Sequence, residues 1–246
     1  MSGLSGKVAL VTGASSGLGA SVAQLFAERG ASVFGVARDR DRLSQTFEQV
    51  ERGRFTVADI SGSAACGSVV DQCVAEFGRL DILVNVAGAH TMRHTTDVTD
   101  AEWEYDLAVN LNAPFYLCRA AIPHLLETAG NIVNVASIAG TEGQAYSAGY
   151  CAAKHGLIGL TRALAVEYTT KQIRVNAVCP GGMLTPQVTD FSMPEGADPN
   201  LIMRIAALRG MNEPRDVAGV IAFLASADAA AVHGAVYAAD NGKTAG

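Results

Sequence analysis

The chain has no CxxC pair, no run of basic residues and no apolar stretch near the ~20 residues that cross a bilayer. Each absence removes a class of function. The five cysteines (Cys66, Cys73, Cys118, Cys151, Cys179) are odd in number and scattered. A disulfide framework or a structural zinc site is therefore not expected, and reduced thiols are. The net charge is −6, with no cluster of Lys or Arg to track a phosphate backbone, so nucleic-acid binding is not expected. The N-terminal MSGLSGKVALVTG lacks the layout of a signal peptide, so the expected setting is cytoplasmic, with no membrane partner. Aromatics are scarce at 6%, with a single Trp.

Small apolar residues are plentiful. Of 246 residues, 42 are Ala and 26 are Gly, and hydrophobic residues make up 49% against 17% charged. That balance excludes a disordered chain and suits close packing of helices on strands. The length fits one α/β domain over residues 1–246. No repeat, low-complexity stretch or linker divides it.

What recurs is a short apolar run followed by a helical pattern. The runs are Lys7–Thr12, Ser32–Ala37, Arg54–Ala58, Leu80–Asn85, Asn131–Ser137, Ile173–Cys179 and Ala235–Ala238. Several are apolar throughout, as strands covered on both faces are. Helical patterns lie near 17–29, 40–51, 64–77, 100–126, 148–169 and 213–226. Gly30 and Gly78 sit just past helix ends, and Thr99 with Glu102 makes a capping box. Alternating β and α predicts a Rossmann-like, doubly wound parallel sheet of about seven strands with helices on both faces. One stretch breaks the rhythm. Residues 182–212 are too long for an ordinary connection and contain a short apolar pattern, Leu201–Leu208, so a functional lid is expected there.

The first strand runs into Thr12-Gly13-Ala14-Ser15-Ser16-Gly17-Leu18-Gly19. Glycines at this place let the backbone turn tightly and approach a phosphate at a helix N-terminus. The bland alternative is an ordinary tight turn. No Lys-Ser/Thr follows, so the loop is not a P-loop. The second strand ends at Ala37 and Arg38, where a plain NAD site carries Asp or Glu. That favours NADP, with NAD retained in case Asp39 supplies the acid. Asp59, followed by Ile60, ends the third strand in reach of an adenine amine; a helix cap is the other reading. Asn85-Val86-Ala87-Gly88 ends the fourth strand, with small residues that let a cofactor pass close.

Ser137 lies near the end of the fifth strand, and Tyr150, 13 residues later, stands with Lys154 at the start of a helical pattern. Positions i and i+4 share a helix face. An ammonium beside a phenol favours the phenolate, which equips the pair to move protons near neutral pH. An exposed helix pair is the bland alternative.

Taken in order, these motifs resemble the short-chain dehydrogenase/reductase family over essentially the whole chain. TGASSGLG resembles its TGxxxGxG loop, NVAG its NNAG motif, and Ser137 with YCAAK its Ser and YxxxK. Asn110 in VNLN matches the family's fourth catalytic residue, and Pro180-Gly181 with Thr185 its PG motif. Val86 and Asn241 depart from the pattern without removing a catalytic group. The resemblance implies an NAD(P)-dependent interconversion of a ketone and a secondary alcohol. Tyr150 is the implied general acid/base, assisted by Lys154, Ser137 and Asn110. Gly13, Ser15, Ser16, Gly17, Leu18, Gly19, Arg38, Asp59, Ile60, Asn85, Ala87, Gly88, Tyr150, Lys154, Pro180, Gly181 and Thr185 are the implied cofactor contacts. It also implies a homotetramer.

Five methionines (Met92, Met183, Met193, Met203, Met211) fall in the segments that would form the substrate pocket. They suit an apolar, medium-sized substrate, or serve as gap-fillers in a lid. His90 can contact substrate or stand as a surface loop residue. No metal ligand set is expected. The alternatives are a 3-oxoacyl-carrier-protein reductase, disfavoured by the lack of Lys or Arg in residues 120–131, and a catalytically silent nucleotide-binding regulator.

Overall fold

A computed structural model describes residues 3–185, 192–207 and 209–245. Seven strands form one parallel sheet in the order β3-β2-β1-β4-β5-β6-β7. They are β1 (Val8–Thr12), β2 (Ser32–Ala37), β3 (Gly53–Val57), β4 (Ile82–Asn85), β5 (Asn131–Val135), β6 (Arg174–Pro180) and β7 (Val236–Ala239). The chain steps outward from β1 to β3, then returns to β4 on the other side of β1. The crevice at that reversal, above the strand C-ends, is where ligands bind in such sheets.

The continuous apolar runs become strands because both faces are covered. Every residue of β1, β4 and β5 is buried. On one face lie α1 (Gly17–Glu28) and α8 (Pro214–Ala225), whose Val22, Phe26, Ile221 and Leu224 pack against Val11 and Val84. On the other lie α3 (Ser63–Phe77), α5 (Ala113–Glu127) and α6 (Ala148–Glu167). There Val70, Leu117, Leu125 and Leu164 pack on Leu10 and Leu83. Phe26 has no exposed surface; truncating it to Ala would cost about 3–5 kcal/mol. Asp81, also buried, ties β4 to β1 by accepting from Val8 N, Lys7 Nζ and Arg79.

The helix expected over 100–126 is broken in its middle. α4 (Asp100–Leu107) carries the Thr99–Glu102 capping box, and α5 begins at Ala113. Between them Ala108–Asn112 form a π-turn. Such turns insert an extra residue and re-aim the side chains beside it. α2 (Arg40–Phe47) starts where expected, capped by Asp39, but ends before 51 because the chain turns there into β3. In the expected lid, α7 covers Pro199–Met203 rather than 201–208, since Asp198 caps it early by accepting from Asn200 N; Leu208 lies outside the described residues.

Candidate active site

A cleft of about 720 Å³ opens above the strand C-ends. That volume suits a cofactor or drug-sized ligand. One end is built by the glycine loop. Gly13, Ser15, Ser16, Gly17, Leu18 and Gly19 line it, with α1 starting directly beneath. Gly13 and Gly17 have φ of +68° and +52°, a backbone region that favours glycine. A Cβ on Gly19 would collide with the Gly13 carbonyl, so the loop closes only with hydrogen at that position. The result is a bare backbone cradle at a helix N-terminus, which fits a pyrophosphate.

Arg38, Asp59 and Ile60 line the same end. Arg38 Nη1 donates to Tyr105 Oη over 3.2 Å, so a residue of α4 holds the guanidinium at the cleft mouth. Asp39 and Arg42 also line the cleft. The Asp39 carboxylate accepts from Arg42 N and lies 3.4 Å from Arg42 Nε, so it is engaged locally. Asp59 accepts from Ser61 N, and that bond holds its carboxyl below the ordinary range.

Ala87, Gly88, Pro180, Gly181 and Thr185 line the middle of the cleft. Thr12 Oγ1 accepts from both Val86 N and Ala87 N at 2.9 Å, which holds the β4 loop against the glycine loop. Asn85 differs from its expected place and does not line the cleft. As the last buried residue of β4, it turns its amide inward, donating to Asn134 Oδ1 at 2.8 Å and toward Cys118 Sγ.

The other end carries Ser137, Tyr150 and Lys154. Ser137 sits in extended backbone just past β5, and its Oγ accepts from Ala139 N. Burial pushes the Tyr150 phenol up to about 12, outweighing the neighbouring Ser137 hydroxyl, which favours the phenolate. Lys154 is buried at 3% exposure, and desolvation pulls its ammonium down to about 8. Its Nζ donates to the Val135 carbonyl at 2.9 Å and stands 5.6 Å from the Tyr150 ring centre. In both groups burial is the largest influence, and it works against the charged form.

Asn110 lies on the π-turn, fully buried behind Gly88 and outside the cleft wall. Its Nδ2 donates to the Ala89 and Asp106 carbonyls, and its Oδ1 accepts from Ala89 N. It thus clamps the β4 loop. Met183, expected near the substrate pocket, lines the cleft. Sequence reasoning missed Tyr105, also in the cleft wall, and the stacking of His90 on Tyr150. Each depends on which distant segments meet at the sheet edge, which no local pattern signals. All five cysteines are free, and among the described residues no group of three or more His, Cys, Asp or Glu could hold a metal ion. Among the described residues no helix is long and apolar enough to cross a membrane.

Fold and site together define a Rossmann-type oxidoreductase with a Ser-Tyr-Lys group at the strand C-ends. The chain belongs to the short-chain dehydrogenase/reductase family, whose members act on CH–OH groups. Residues 13–244 match a family model described as enoyl-(acyl carrier protein) reductase. A 3beta-hydroxysteroid dehydrogenase of Mediterraneibacter gnavus is 34% identical, over 97% of this chain and 95% of that one. Among solved structures, carveol dehydrogenase from Mycobacterium avium in complex with NAD is 29% identical with a TM-score of 0.90, covering all of both chains. The 3-ketoacyl-(acyl-carrier-protein) reductase from Brucella melitensis complexed with NADH is 32% identical, TM-score 0.89, over 98% of this chain and 99% of that one.

Proposed function

We propose that the protein interconverts a ketone and a secondary alcohol with a nicotinamide dinucleotide, Tyr150 giving or taking the proton. One observation carries this: Ser137, Tyr150 and Lys154 converge at one end of a cleft whose other end is a side-chain-free loop on a helix N-terminus. The bound dinucleotide would supply or accept the hydride. The glycine loop would hold its pyrophosphate. Ser137 would orient the substrate oxygen with its hydroxyl. Tyr150, protonated at neutral pH, would hand its proton to the carbonyl oxygen during reduction. Lys154 spends one N–H on Val135 and lines the cleft with its ammonium, where a ribose hydroxyl would be received. Asn110 keeps the β4 loop in place.

NADP is the preferred cofactor in this reading. Two guanidinium groups, Arg38 and Arg42, line the mouth, β2 ends in Ala37, and the Asp39 carboxylate is taken up by its own helix. The two structural relatives named above carry NAD and NADH, so NAD is the competing arm of the test.

The substrate is read as apolar and of medium size. Leu184, Met193, Leu201, Met203 and Met211, all between residues 182 and 212, are exposed, and Met183 lines the cleft. Exposed apolar side chains beside a cleft suit an apolar ligand. An acyl-carrier thioester is the alternative substrate, matching the name of the Brucella relative. The exposed Trp103, Phe115, Leu126 and Val166 on α4, α5 and α6 suit packing against further copies, read as a homotetramer.

The deciding experiment is Tyr150→Phe. Turnover should vanish while fluorescence titration still shows cofactor binding. Retained turnover would overturn the mechanism. Tight cofactor binding with no turnover by the wild type on a broad ketone and alcohol panel would favour a regulatory protein. Activity confined to small, highly polar sugars would overturn the apolar-substrate reading. Light scattering on a sizing column checks the tetramer, and a monomer would overturn it.

A further inference from the structure

His90 stands five residues past the end of β4, on the loop that Asn110 clamps. Its ring centre is 4.4 Å from that of Tyr150, with 31° between the planes. That is a packed aromatic pair. Its Nε2 lies 2.8 Å from Ser147 Oγ. The same hydroxyl lies 3.1 Å from the Ala145 carbonyl. The Ser147 hydroxyl thus bridges the His90 ring and the Ala145 carbonyl. Ser147 is also the residue from which α6 starts, three positions before Tyr150. Imidazole, hydroxyl and phenol thus form one connected group, and the mechanism above uses only the last.

We propose that His90 is a positioning residue for proton transfer by Tyr150: tethered to Ser147, its imidazole fixes the plane of the phenol and shields it from water. The proposal rests on the reading of Tyr150 as proton donor.

The surroundings support it. The loop is pinned on both sides of His90, by Asn110 at Ala89 and by Arg93 N donating to the Tyr146 carbonyl at 2.8 Å. Burial, with the positive charges of Arg93 and Lys154, pushes the imidazole down to about 4, so it is uncharged at neutral pH. The groups that face Tyr150 come from each element around it: Ser137 after β5, Cys179 on β6, Cys151 and Lys154 on its own helix, and His90 on the β4 loop. Among the described residues, His90 is the one aromatic ring packed on the phenol.

Removing the ring admits water and eases ionisation of the phenol. His90→Ala should lose roughly tenfold to a hundredfold in kcat, the scale of a misplaced reacting group. It should also move the alkaline limb of the rate profile to lower pH. His90→Phe keeps the shield, so its limb should stay in place, with kcat down only severalfold. Ser147→Ala keeps the ring but frees it, and should behave likewise. A readout without cofactor is ultraviolet difference titration of phenol ionisation, wild type minus Tyr150→Phe, repeated with His90→Ala in both proteins. The expected result is a lower midpoint for Tyr150.

An unmoved midpoint in His90→Ala overturns the proposal, whatever happens to turnover, because a merely structural role would leave ionisation alone. Turnover in Tyr150→Phe would instead remove the proton-donor reading; the titration then still decides whether His90 governs the ionisation of Tyr150. If His90→Ala does not fold, His90→Phe and Ser147→Ala carry the test, and wild-type kcat in both overturns it.

Discussion

Lys154 Nζ donates to the Val135 carbonyl, 19 residues earlier in the chain, at 2.9 Å. The bond ties the second turn of α6 to the end of β5, beside Ser137 and Tyr150. It also leaves a cation in a site with 3% exposure, where desolvation lowers its pKa to about 8. A buried ammonium is costly to keep. It sits at the cleft end where the proposed mechanism moves a proton.

Replacing that cation with an apolar chain of similar length separates chemistry from folding. Lys154→Met should cut kcat/KM by about 10²–10⁴, the usual share of a positioned acid/base assembly. Thermal stability should change little, because the variant removes a desolvated charge while keeping the packing volume. Steady-state kinetics and a thermal melt test both halves. Near-wild-type turnover would remove Lys154 from the mechanism.

The two reaction directions should differ in their response to pH. Burial raises the Tyr150 phenol from its ordinary 10 to about 12, so the proton-bearing form predominates at neutral pH. Ketone reduction uses that form and should be flat with respect to Tyr150 through neutrality. Alcohol oxidation needs the phenolate, so its rate should climb by about tenfold per pH unit on the alkaline side. Rate profiles measured in both directions check this. Oxidation with a flat profile from neutral to alkaline pH would show that the phenol ionises far lower.

Arg38 should govern cofactor choice. Its guanidinium, held by Tyr105, lines the cleft mouth, and in the proposed NADP reading it would meet the 2′-phosphate through charge-assisted hydrogen bonds. Arg38→Gln should weaken NADPH binding by about tenfold or more and leave NADH nearly unchanged. Tyr105→Phe should weaken NADPH in the same sense, but less, by freeing the guanidinium. Fluorescence titration with both cofactors gives the four constants. Equal losses for NADPH and NADH would place Arg38 outside 2′-phosphate recognition.

The strands were legible because a parallel sheet covered on both faces demands unbroken apolar runs, such as Val8–Val11 and Ile82–Val84. The capping box at Thr99 was legible because its chemistry is local. Strand order was not, since pairing β1 with β4 joins residues about seventy positions apart. The π-turn at Ala108–Asn112 was hidden because AVNLN continues the helical pattern on either side. Asn85 was assigned to the cleft by its motif, but the direction of its amide is decided by Asn134 on the neighbouring strand. His90 was weighed as a surface loop residue because nothing nearby in sequence tells that Ser147 and Tyr150 meet it.

That same histidine should make the fold sensitive to acid. Burial, and then the charges of Arg93 and Lys154, lower His90 from its ordinary 6.5 to about 4. The unfolded chain takes up a proton near the ordinary value, while the folded protein resists until near the lower one. Between them the unfolded state binds more protons, so stability falls as pH drops through that window and the loss saturates below it. The full difference corresponds to roughly 3 kcal/mol at ~1.4 kcal/mol per unit. His90→Phe cannot take up this proton, so its stability should fall less between pH ~7 and ~4.5. Urea melts of both proteins at those two pH values measure the difference directly. Equal losses in the two proteins would mean that His90 already carries its proton in the folded state.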